Sequence, residues 1–385
     1  MYELKKLRGT RKKLCADYLH EGGQFCVDED GYMYFYTSSN SICKIGIDKT
    51  IQEFQYSENK MNLTKPIILN GRVYHKRTEK DCEYILITDT SMNEITRVYL
   101  KDNESVMTML NAHNHIFFTT VTSIPSTREG YIADGYIKRF HKMTEDGKIC
   151  WEYEPPDNGW LVCDGIIPLS NGKILTSVSY EYGVTVDCHI INENGILDSI
   201  ISKINLWNID ITKNLYLSMD RVGNVCVAVQ HMPIYNNEQL LEPYSVNFVI
   251  IDKNGVEICR KKTNLPLNDP FILYDCNHVI CIKSVFTPGS VEVGGIFKVN
   301  ILQEIGESWI EDKSSFTFAR GDCFGDKIVI CYGDFDKAKI YCFNYDGKIL
   351  WDIDVDHKKG IPYFELKDNY LYYFLQESLI YKILV

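Results

Sequence analysis

The side chains of this chain that could do chemistry are scattered single residues and form no motif. His231 could act as a general base, and Arg128, Asp164 or Arg320 could bind or polarise a polar substrate. The sequence has no glycine-rich nucleotide loop, HExxH zinc motif, GxSxG nucleophile motif or complete EF-hand loop. Any site must therefore be assembled by the fold from residues distant in sequence.

His113 and His115, in the segment NAHNHI, have the spacing of a metal-binding pair. A metal site needs three or more convergent ligands, and the pattern of this segment is better explained by a polar turn. The 14 cysteines include no CxxC pair, and many lie in apolar segments such as NVCVAV, HVICIK and IVICYG. This pattern predicts buried free thiols. We expect neither a metal nor a cofactor.

Charge and hydropathy exclude several classes of protein. The net charge is −11 with both signs mixed throughout, which is not the clustered basic surface that nucleic-acid binding requires. The basic segment at residues 1–14 is interpreted as a solvated edge strand, with a patch for an anionic partner as the alternative. No apolar stretch has the length of a signal peptide or of a membrane span. These features predict a cytoplasmic protein that binds neither nucleic acid nor a membrane.

Two nearly identical phrases indicate which elements must position any site. DGKICW at residues 146–151 and DGKILW at 346–351 lie two hundred positions apart, each between two strand-like segments. Related hairpin turns lie near residues 49, 93, 195, 255 and 301, so the period is about 50 residues. A second series of eight turns precedes them, from DEDGYMYF to LKDNYLYY. Each repeat is therefore two hairpins, which is the four-stranded blade of a β-propeller.

The predicted fold is all-β: a single eight-bladed β-propeller of antiparallel four-stranded blades over residues 1–385, with seven blades as the rival. The eighth repeat contains only three strands, and YELKKL at residues 2–7 is predicted to supply the fourth and close the ring. Trp151 and Trp351, after the Asp-Gly turns, are predicted to pack between neighbouring blades.

The DGK-to-Trp phrases resemble the repeat of the quinoprotein (PQQ-like) β-propellers. This resemblance implies the propeller fold, and it does not extend to the cofactor, because the adjacent cysteines typical of the quinone site are missing here. DGKICWEYEPPD followed by IPLSNGKIL is also similar to segments of arylsulfate sulfotransferase propellers. Those enzymes use a histidine as sulfate acceptor, whereas the segment NGWLVCDG here has Cys163 and Asp164 and no histidine.

Loop lengths predict which propeller face is functional. The turns between the first and second strands and between the third and fourth strands of each repeat are short. The loops between the second and third strands are long in repeats 3, 5 and 6. With the neighbouring segment EPPDNGWLVCD, the first two of these loops carry candidate ligand-binding residues: Arg128, Glu129, Tyr131, Asp134, Trp160, Asp164, His231 and Tyr235.

Two functions are compatible with this pattern. The favoured hypothesis is a non-catalytic binding or scaffolding propeller that holds a protein, a peptide or a small polar ligand on its loop-rich face. The alternative is a transferase, lyase or hydrolase acting at the mouth of the central channel. Arg320 and Asp322, in FARGDC, are further candidates, either as channel-facing ligand contacts or as a structural pair.

Overall fold

Antiparallel β-hairpins make up the described part of the chain, which contains no α-helix. The computed structural model describes residues 5–8, 25–36, 41–46, 51–54, 65–79, 82–101, 103–125, 133–157, 159–169, 172–180, 185–206, 215–231, 234–236, 239–242, 244–287, 290–311, 318–333, 337–356, 363–367, 370–375 and 379–384. The chain divides into two units: Met1–Asp164 with Gly360–Val385, and Gly165–Lys359. The boundary falls within one strand.

The first unit contains three sheets of consecutive strands and one sheet that joins the two ends of the chain. The consecutive strands are β2 Phe25–Val27, β3 Met33–Tyr36, β4 Ile42–Ile45 and β5 Ile51–Phe54; β6 Ile67–Leu69, β7 Arg72–Glu79, β8 Cys82–Asp89 and β9 Glu94–Tyr99; β10 Glu104–Ala112, β11 His115–Pro125, β12 Ala133–Met143 and β13 Ile149–Tyr153. The joining sheet has β1 Lys5–Arg8 beside β34 Leu379–Leu384, then β33 Tyr370–Leu375 and β32 Tyr363–Lys367.

The second unit repeats the same arrangement, and its first strand begins before the boundary. Its strands are β14 Trp160–Pro168, β15 Ile174–Tyr180, β16 Thr185–Ile191 and β17 Leu197–Leu206; β18 Leu215–Met219, β19 Val225–His231, β22 Ser245–Ile251 and β23 Glu257–Thr263; β24 Leu267–Asp275, β25 His278–Thr287, β26 Ser290–Asn300 and β27 Ile305–Ile310; β28 Phe318–Phe324, β29 Lys327–Gly333, β30 Lys337–Asn344 and β31 Ile349–Asp356. A separate two-stranded hairpin, β20 Ile234–Asn236 and β21 Gln239–Glu242, lies between β19 and β22.

This topology confirms the all-β class and the antiparallel four-stranded repeat. The repeat at residues 65–100 forms a complete sheet of β6 to β9. At the chain ends, Lys5 lies opposite Lys382 and Arg8 opposite Leu379. The number of blades, the closure of a ring and the single-domain organisation stay predictions.

Seven hairpin turns in the described residues share one hydrogen-bond pattern, which explains the repeated phrase. In each, the N–H of the first residue donates to the carbonyl of the fifth, and the N–H of the fourth donates to the carbonyl of the first. The side-chain oxygen of the first residue also accepts the N–H of the fifth, at 2.8 to 3.1 Å. The first residues are Asp28, Asp89, Thr144, Asn192, Asp220, Asp252 and Asn344. Short polar side chains are favoured there because they can cap the turn.

The fourth turn residue has a positive φ in all seven turns, and it is glycine in six of them. Three of these glycines also touch the preceding sheet of their own unit. A Cβ on Gly147 would lie 2.7 Å from Val98 Cγ2, and one on Gly255 would lie 2.6 Å from Ile190 Cδ1. A Cβ on Gly347 would lie 2.6 Å from the ring of Trp309. Glycine is therefore required by both backbone conformation and packing.

Apolar layers between successive sheets form the core of each unit. One layer of the first unit joins β6 to β9 with β10 to β13, through residues such as Ile87, Val98 and Phe118. In the second unit, similar layers lie between all successive pairs of sheets. Trp309 packs from one sheet onto the next, whereas the ring contacts described for Trp151 are with Phe117 and Phe140 of its own sheet.

Met92 occupies the fourth position of its turn, where the other six turns have glycine, and its φ is 66°. Its side chain is only 8% exposed and packs in a cluster with Cys26, Tyr34, Ile42 and Val73. The turn therefore stores the cost of a left-handed conformation, about 1 kcal/mol, and offsets it by burying a methionine.

We expect Met92→Gly to be less destabilising than Met92→Ala. Both variants lose the buried side chain, at about 2 to 3 kcal/mol, but only alanine keeps the left-handed strain of about 1 kcal/mol. Urea unfolding of both variants and the wild type measures the two free-energy differences. At an ordinary strand position an alanine variant is more stable than a glycine variant. A more stable Met92→Ala would therefore contradict the left-handed backbone conformation at residue 92.

Candidate binding face

The described parts of the three long loops predicted from the sequence are paired antiparallel strands. In the first unit, β11 and β12 continue past the end of β10, through the pairs Ser123↔Tyr136, Ile124↔Gly135 and Pro125↔Ala133. Two further extensions lie in the second unit, on successive sheets. We call β20–β21 the first arm and residues 284–293, the outer part of the β25–β26 hairpin, the second arm.

The second arm extends beyond both strands that flank it. On one side, the pairing of β24 with β25 ends at Leu267, opposite Lys283. On the other side, the pairing of β27 with β26 ends at Ile310, opposite Ile296. Beyond these points the pairing runs from Ser284↔Val293 to Thr287↔Ser290. In the described ladders, the outward backbone groups of this arm therefore pair with no third strand, which makes each side of the arm an open edge.

A register shift and a glycine mark the base of the second arm. The shift lies between Lys283 and Ser284, and Gly295 on the opposite strand has a φ of 124°. A Cβ on Gly295 would lie 2.0 Å from the carbonyl oxygen of Ile310, so no other residue fits there. Such an irregularity increases the local twist of a strand and redirects the hairpin beyond it.

A buried hydrogen-bond network holds the base of the first arm. Gln230 lies just before the arm and Tyr244 just after it. The Gln230 amide nitrogen donates to Tyr244 Oη at 3.1 Å and to Asn268 Oδ1 of the next sheet at 2.8 Å. The amide oxygen accepts the hydroxyl of Tyr216 at 3.0 Å. Gln230 is 3% exposed, and its three hydrogen bonds compensate for the loss of water. The base of the arm is therefore fixed to two sheets.

These four network residues were not predicted from the sequence. The available signal was a polar residue at the end of an apolar strand directly before a long loop, as in VCVAVQH. An amide at such a position is buried with the strand and must find partners. Its partners come from segments up to 38 residues away, which the sequence pattern does not reveal.

His231, the predicted general base, is buried at the end of β19 opposite Ser245. Burial, with a smaller effect of the Lys262 charge, lowers its pKa to about 4. The imidazole is therefore neutral at pH 7. A side chain buried in this way resembles a core residue more than a general base that meets a substrate.

The structure places the other predicted site residues only in part. Arg128, Glu129 and Tyr131 lie outside the described residues. Four candidates lie in strands whose side chains at these positions are not described: Asp134 in β12, Trp160 and Asp164 in β14, and Tyr235 in β20.

Arg320 and Asp322 both lie in β28, the first strand of its sheet. Arg320 is half-buried opposite Cys331, and Asp322 is exposed and accepts the backbone N–H of Cys323 at 2.8 Å. Arg320 and Asp322 are separated by Gly321, whose Cβ would meet Ile272 at 2.6 Å. Their roles as ligand contacts stay predictions.

The predicted turn at His113 and His115 is confirmed. His113 and Asn114 have φ of 48° and 58°, and the His115 Nδ1 lies 2.7 Å from the His113 carbonyl. In the described part of the chain, no three His, Cys, Asp or Glu side chains are grouped to hold a metal ion. The same residues include no helix long and apolar enough to span a membrane.

The prediction of buried free thiols is confirmed for the three strand segments from which it was made. Cys226, Cys281 and Cys331 are free and buried. Burial raises the pKa of the Cys331 thiol to about 12, so this sulfur remains protonated and unreactive at pH 7.

Comparison with known proteins identifies the fold. Neither protein-family models nor the sequences of curated proteins match this chain. Solved structures do match. Virginiamycin B lyase from Staphylococcus aureus aligns over all of both chains with a TM-score of 0.53 and 13% identity. BamB from Moraxella catarrhalis aligns over 96% of this chain and 98% of its own, with a TM-score of 0.54 and 13% identity. The Dos1 propeller aligns over 98% and 94%, with a TM-score of 0.60 and 8% identity. At these identities the matches show the fold alone, and that fold is a β-propeller.

Proposed function

We propose that this chain is a non-catalytic β-propeller, a cytoplasmic member of the PQQ-like repeat superfamily, that binds an extended peptide segment of a protein partner. The observation that carries this proposal is the second arm, a two-stranded ribbon with an open edge on each side in the described ladders. A peptide added to such an edge gains main-chain hydrogen bonds, each contributing about 1 kcal/mol net.

The sequence of the second arm favours pairing with another strand. Its two strands read SVFT and SVEV, which are β-branched or aromatic at five of eight positions. Exposed edges in proteins are usually protected by lysine or by inward-pointing charges, and this arm has a single charged residue, Glu292. The first arm, with its base fixed by Gln230, lies on the preceding sheet of the same unit. Two rigidly based arms reduce the entropy lost on binding.

The alternative of an enzyme at the channel mouth stays a hypothesis. Its candidate residues are Arg128 and Asp164, whose side chains are not among those described, the buried His231 and the half-buried Arg320. Fold similarity does not decide between the two functions, because one propeller architecture supports both binding proteins and enzymes.

Shortening the second arm is expected to abolish peptide binding. Extended peptides would be selected from a random 12-residue library on the immobilised protein, and their dissociation constants measured by fluorescence anisotropy. Replacement of residues 285–292 by Asn-Gly should weaken the selected peptides at least about tenfold, which corresponds to the loss of roughly 1.4 kcal/mol.

Val222→Lys is the matched control, because Val222 is an apolar residue of the same unit, 67% exposed, at the short β18–β19 turn. It should leave the affinity unchanged. Equal binding by the arm-shortened protein, with its thermal unfolding unaltered, would contradict the proposal.

A further inference from the structure

A groove in the first unit has the features of a separate small-molecule site. It has a volume of about 490 Å³, within the range of ligand-binding pockets. Its lining comes from the first sheet and from the β8–β9 turn, and consists of Tyr32, Lys44, Gln52, Glu53, Phe54 and Ser91. We call it the Lys44 groove. None of its residues belongs to the arms proposed above to bind peptide.

The groove lies beside a turn whose packing on the preceding sheet differs from that of three other turns. In three other turns, the fourth residue is a glycine that packs directly on a large apolar side chain of the preceding sheet, such as Trp309 against Gly347. Here Met92 takes the glycine position, and Gln52 and Ser91 at the groove are polar and exposed. At this turn the buried side chain of Met92 makes the contact with the first sheet, and the groove lies beside it, between β5 and Ser91.

Lys44 is held in a defined position at this groove. Its Nζ donates to the Thr90 carbonyl at 2.6 Å and lies 4.2 Å from the centre of the Tyr32 ring. An ammonium group has three donors, so the bond to Thr90 leaves two that can serve a ligand. The cation–π contact with Tyr32 holds the charge close to the ring without neutralising it.

Tyr32 and Tyr34, the tyrosines beside Lys44, are also fixed in place, by the turn between β2 and β3. Asp28 Oδ1 accepts the backbone N–H of Tyr32 at 2.8 Å, and Asp28 Oδ2 accepts the Tyr34 hydroxyl at 2.9 Å. The Tyr34 hydroxyl oxygen also lies 3.3 Å from the Thr90 carbonyl, the acceptor that Lys44 uses. Lysine, carbonyl and ring are therefore linked in one preorganised group, which lowers the entropic cost of binding.

The charges of the groove select the class of ligand. Lys44 provides a single positive charge at the groove, and Glu53 also belongs to its lining. The charge of Lys44 also contributes to the lowered pKa of Asp89, after the hydrogen bonds from Asn93 and Ser91, so a second carboxylate is near. The anionic group of a ligand would therefore bind at the Lys44 ammonium, where the attraction between opposite charges is strongest. The rings of Tyr32 and Phe54 provide apolar surface for the rest of the ligand.

From this geometry we propose that the Lys44 groove binds a small monocarboxylate with an aromatic or apolar body. The carboxylate accepts hydrogen bonds from the Lys44 ammonium, and the apolar body lies against Tyr32 and Phe54. Gln52 and Ser91 are placed to hydrogen-bond the remaining polar atoms of the ligand.

Binding of phenylacetate, measured by ligand-observed NMR titration on the full chain, tests this proposal. For a ligand of this size we expect a dissociation constant of about 1 mM. The neutral 2-phenylethanol should bind at least about tenfold more weakly, because it lacks the negative charge that the Lys44 ammonium attracts. Equal or tighter binding of 2-phenylethanol would overturn the proposal.

Two variants separate ligand binding from stability. Lys44→Met removes the cation and should weaken phenylacetate at least about tenfold, whereas Lys148→Met, at an exposed lysine of the same unit, should not. Gln52→Trp should fill the groove with a bulky ring, and so block phenylacetate without lowering the melting temperature, because Gln52 is an exposed residue of the lining. Unchanged affinity in Lys44→Met, or in a folded Gln52→Trp, would show that the ligand does not occupy this groove.

Discussion

Replacing Gly347 by alanine is expected to lower the free energy of unfolding by about 3 kcal/mol, three times the loss expected for Gly325→Ala in the same sheet. Both glycines lie in hairpin turns with a positive φ, of 77° and 57°. Either substitution therefore costs about 1 kcal/mol for the left-handed backbone alone. The difference between them comes from packing.

A Cβ at residue 347 would lie 2.6 Å from Trp309 Cε2, whereas nothing lies within 4 Å of one at residue 325. Trp309 cannot yield easily, because its ring also packs against Phe343 at 5.3 Å and Tyr274 at 6.3 Å between ring centres. Forcing an extra methyl group into such a contact typically costs 1 to 3 kcal/mol.

Urea unfolding of the two alanine variants measures this difference directly. Gly347→Ala combined with Trp309→Leu provides a check, since the second change should remove most of the steric cost and bring the effect of the alanine close to that at residue 325. Equal destabilisation by the two single alanine variants would mean that the repeated Asp-Gly turn is selected for backbone conformation only.

The fold was predictable because its information is local. Each short turn needs a capping side chain at its first residue and a positive φ at its fourth, so Asp252 and Gly255, or Asn344 and Gly347, are visible in the sequence as turn phrases. Repetition of these phrases at a fixed spacing indicates a repeated sheet. The turn at Met92 was found from spacing alone, since its fourth residue is not glycine.

The candidate sites were much less predictable, because their contacts join segments far apart in the chain. The long loops were recognised from their length, but their form as extended hairpins depends on register, which loop length does not define. Gln230 meets Asn268 across two sheets, and Lys44 meets Thr90 across 46 residues. Such pairs depend on how one sheet packs on the next, and a short-range pattern carries no information about that packing.

Acidification is expected to destabilise the protein strongly, because two buried histidines must become protonated. The pKa of His141 is lowered to about 4, mainly by burial, although Glu104 opposes the shift. Burial lowers the pKa of His231 to about 4 as well. In the unfolded chain a histidine has its ordinary pKa, near 6.5.

The direction follows from proton binding in the two states. Between pH 6.5 and 4 the unfolded chain binds a proton at each site that the native protein does not, so stability rises with pH across this window. From pH 7 down to 4.5, each histidine should remove about 2 kcal/mol from the free energy of unfolding. Burial also lowers the pKa values of His75 and His189, so their protonation further reduces the free energy of unfolding on acidification. The total is comparable with the whole stability of a typical domain, 5 to 15 kcal/mol.

Substitution of one buried histidine separates its contribution from general acid effects. His141 stacks on Phe118 at 4.6 Å between ring centres, and its Nε2 lies 2.8 Å from the Thr120 hydroxyl, a contact that glutamine can retain. We expect His141→Gln to be less stable than the wild type at pH 7 and to lose about 2 kcal/mol less on acidification to pH 4.5. His113→Asn is the control, because it changes an exposed turn histidine and keeps a residue suited to positive φ. Parallel curves of unfolding free energy against pH for His141→Gln and the control would contradict a histidine kept neutral by burial.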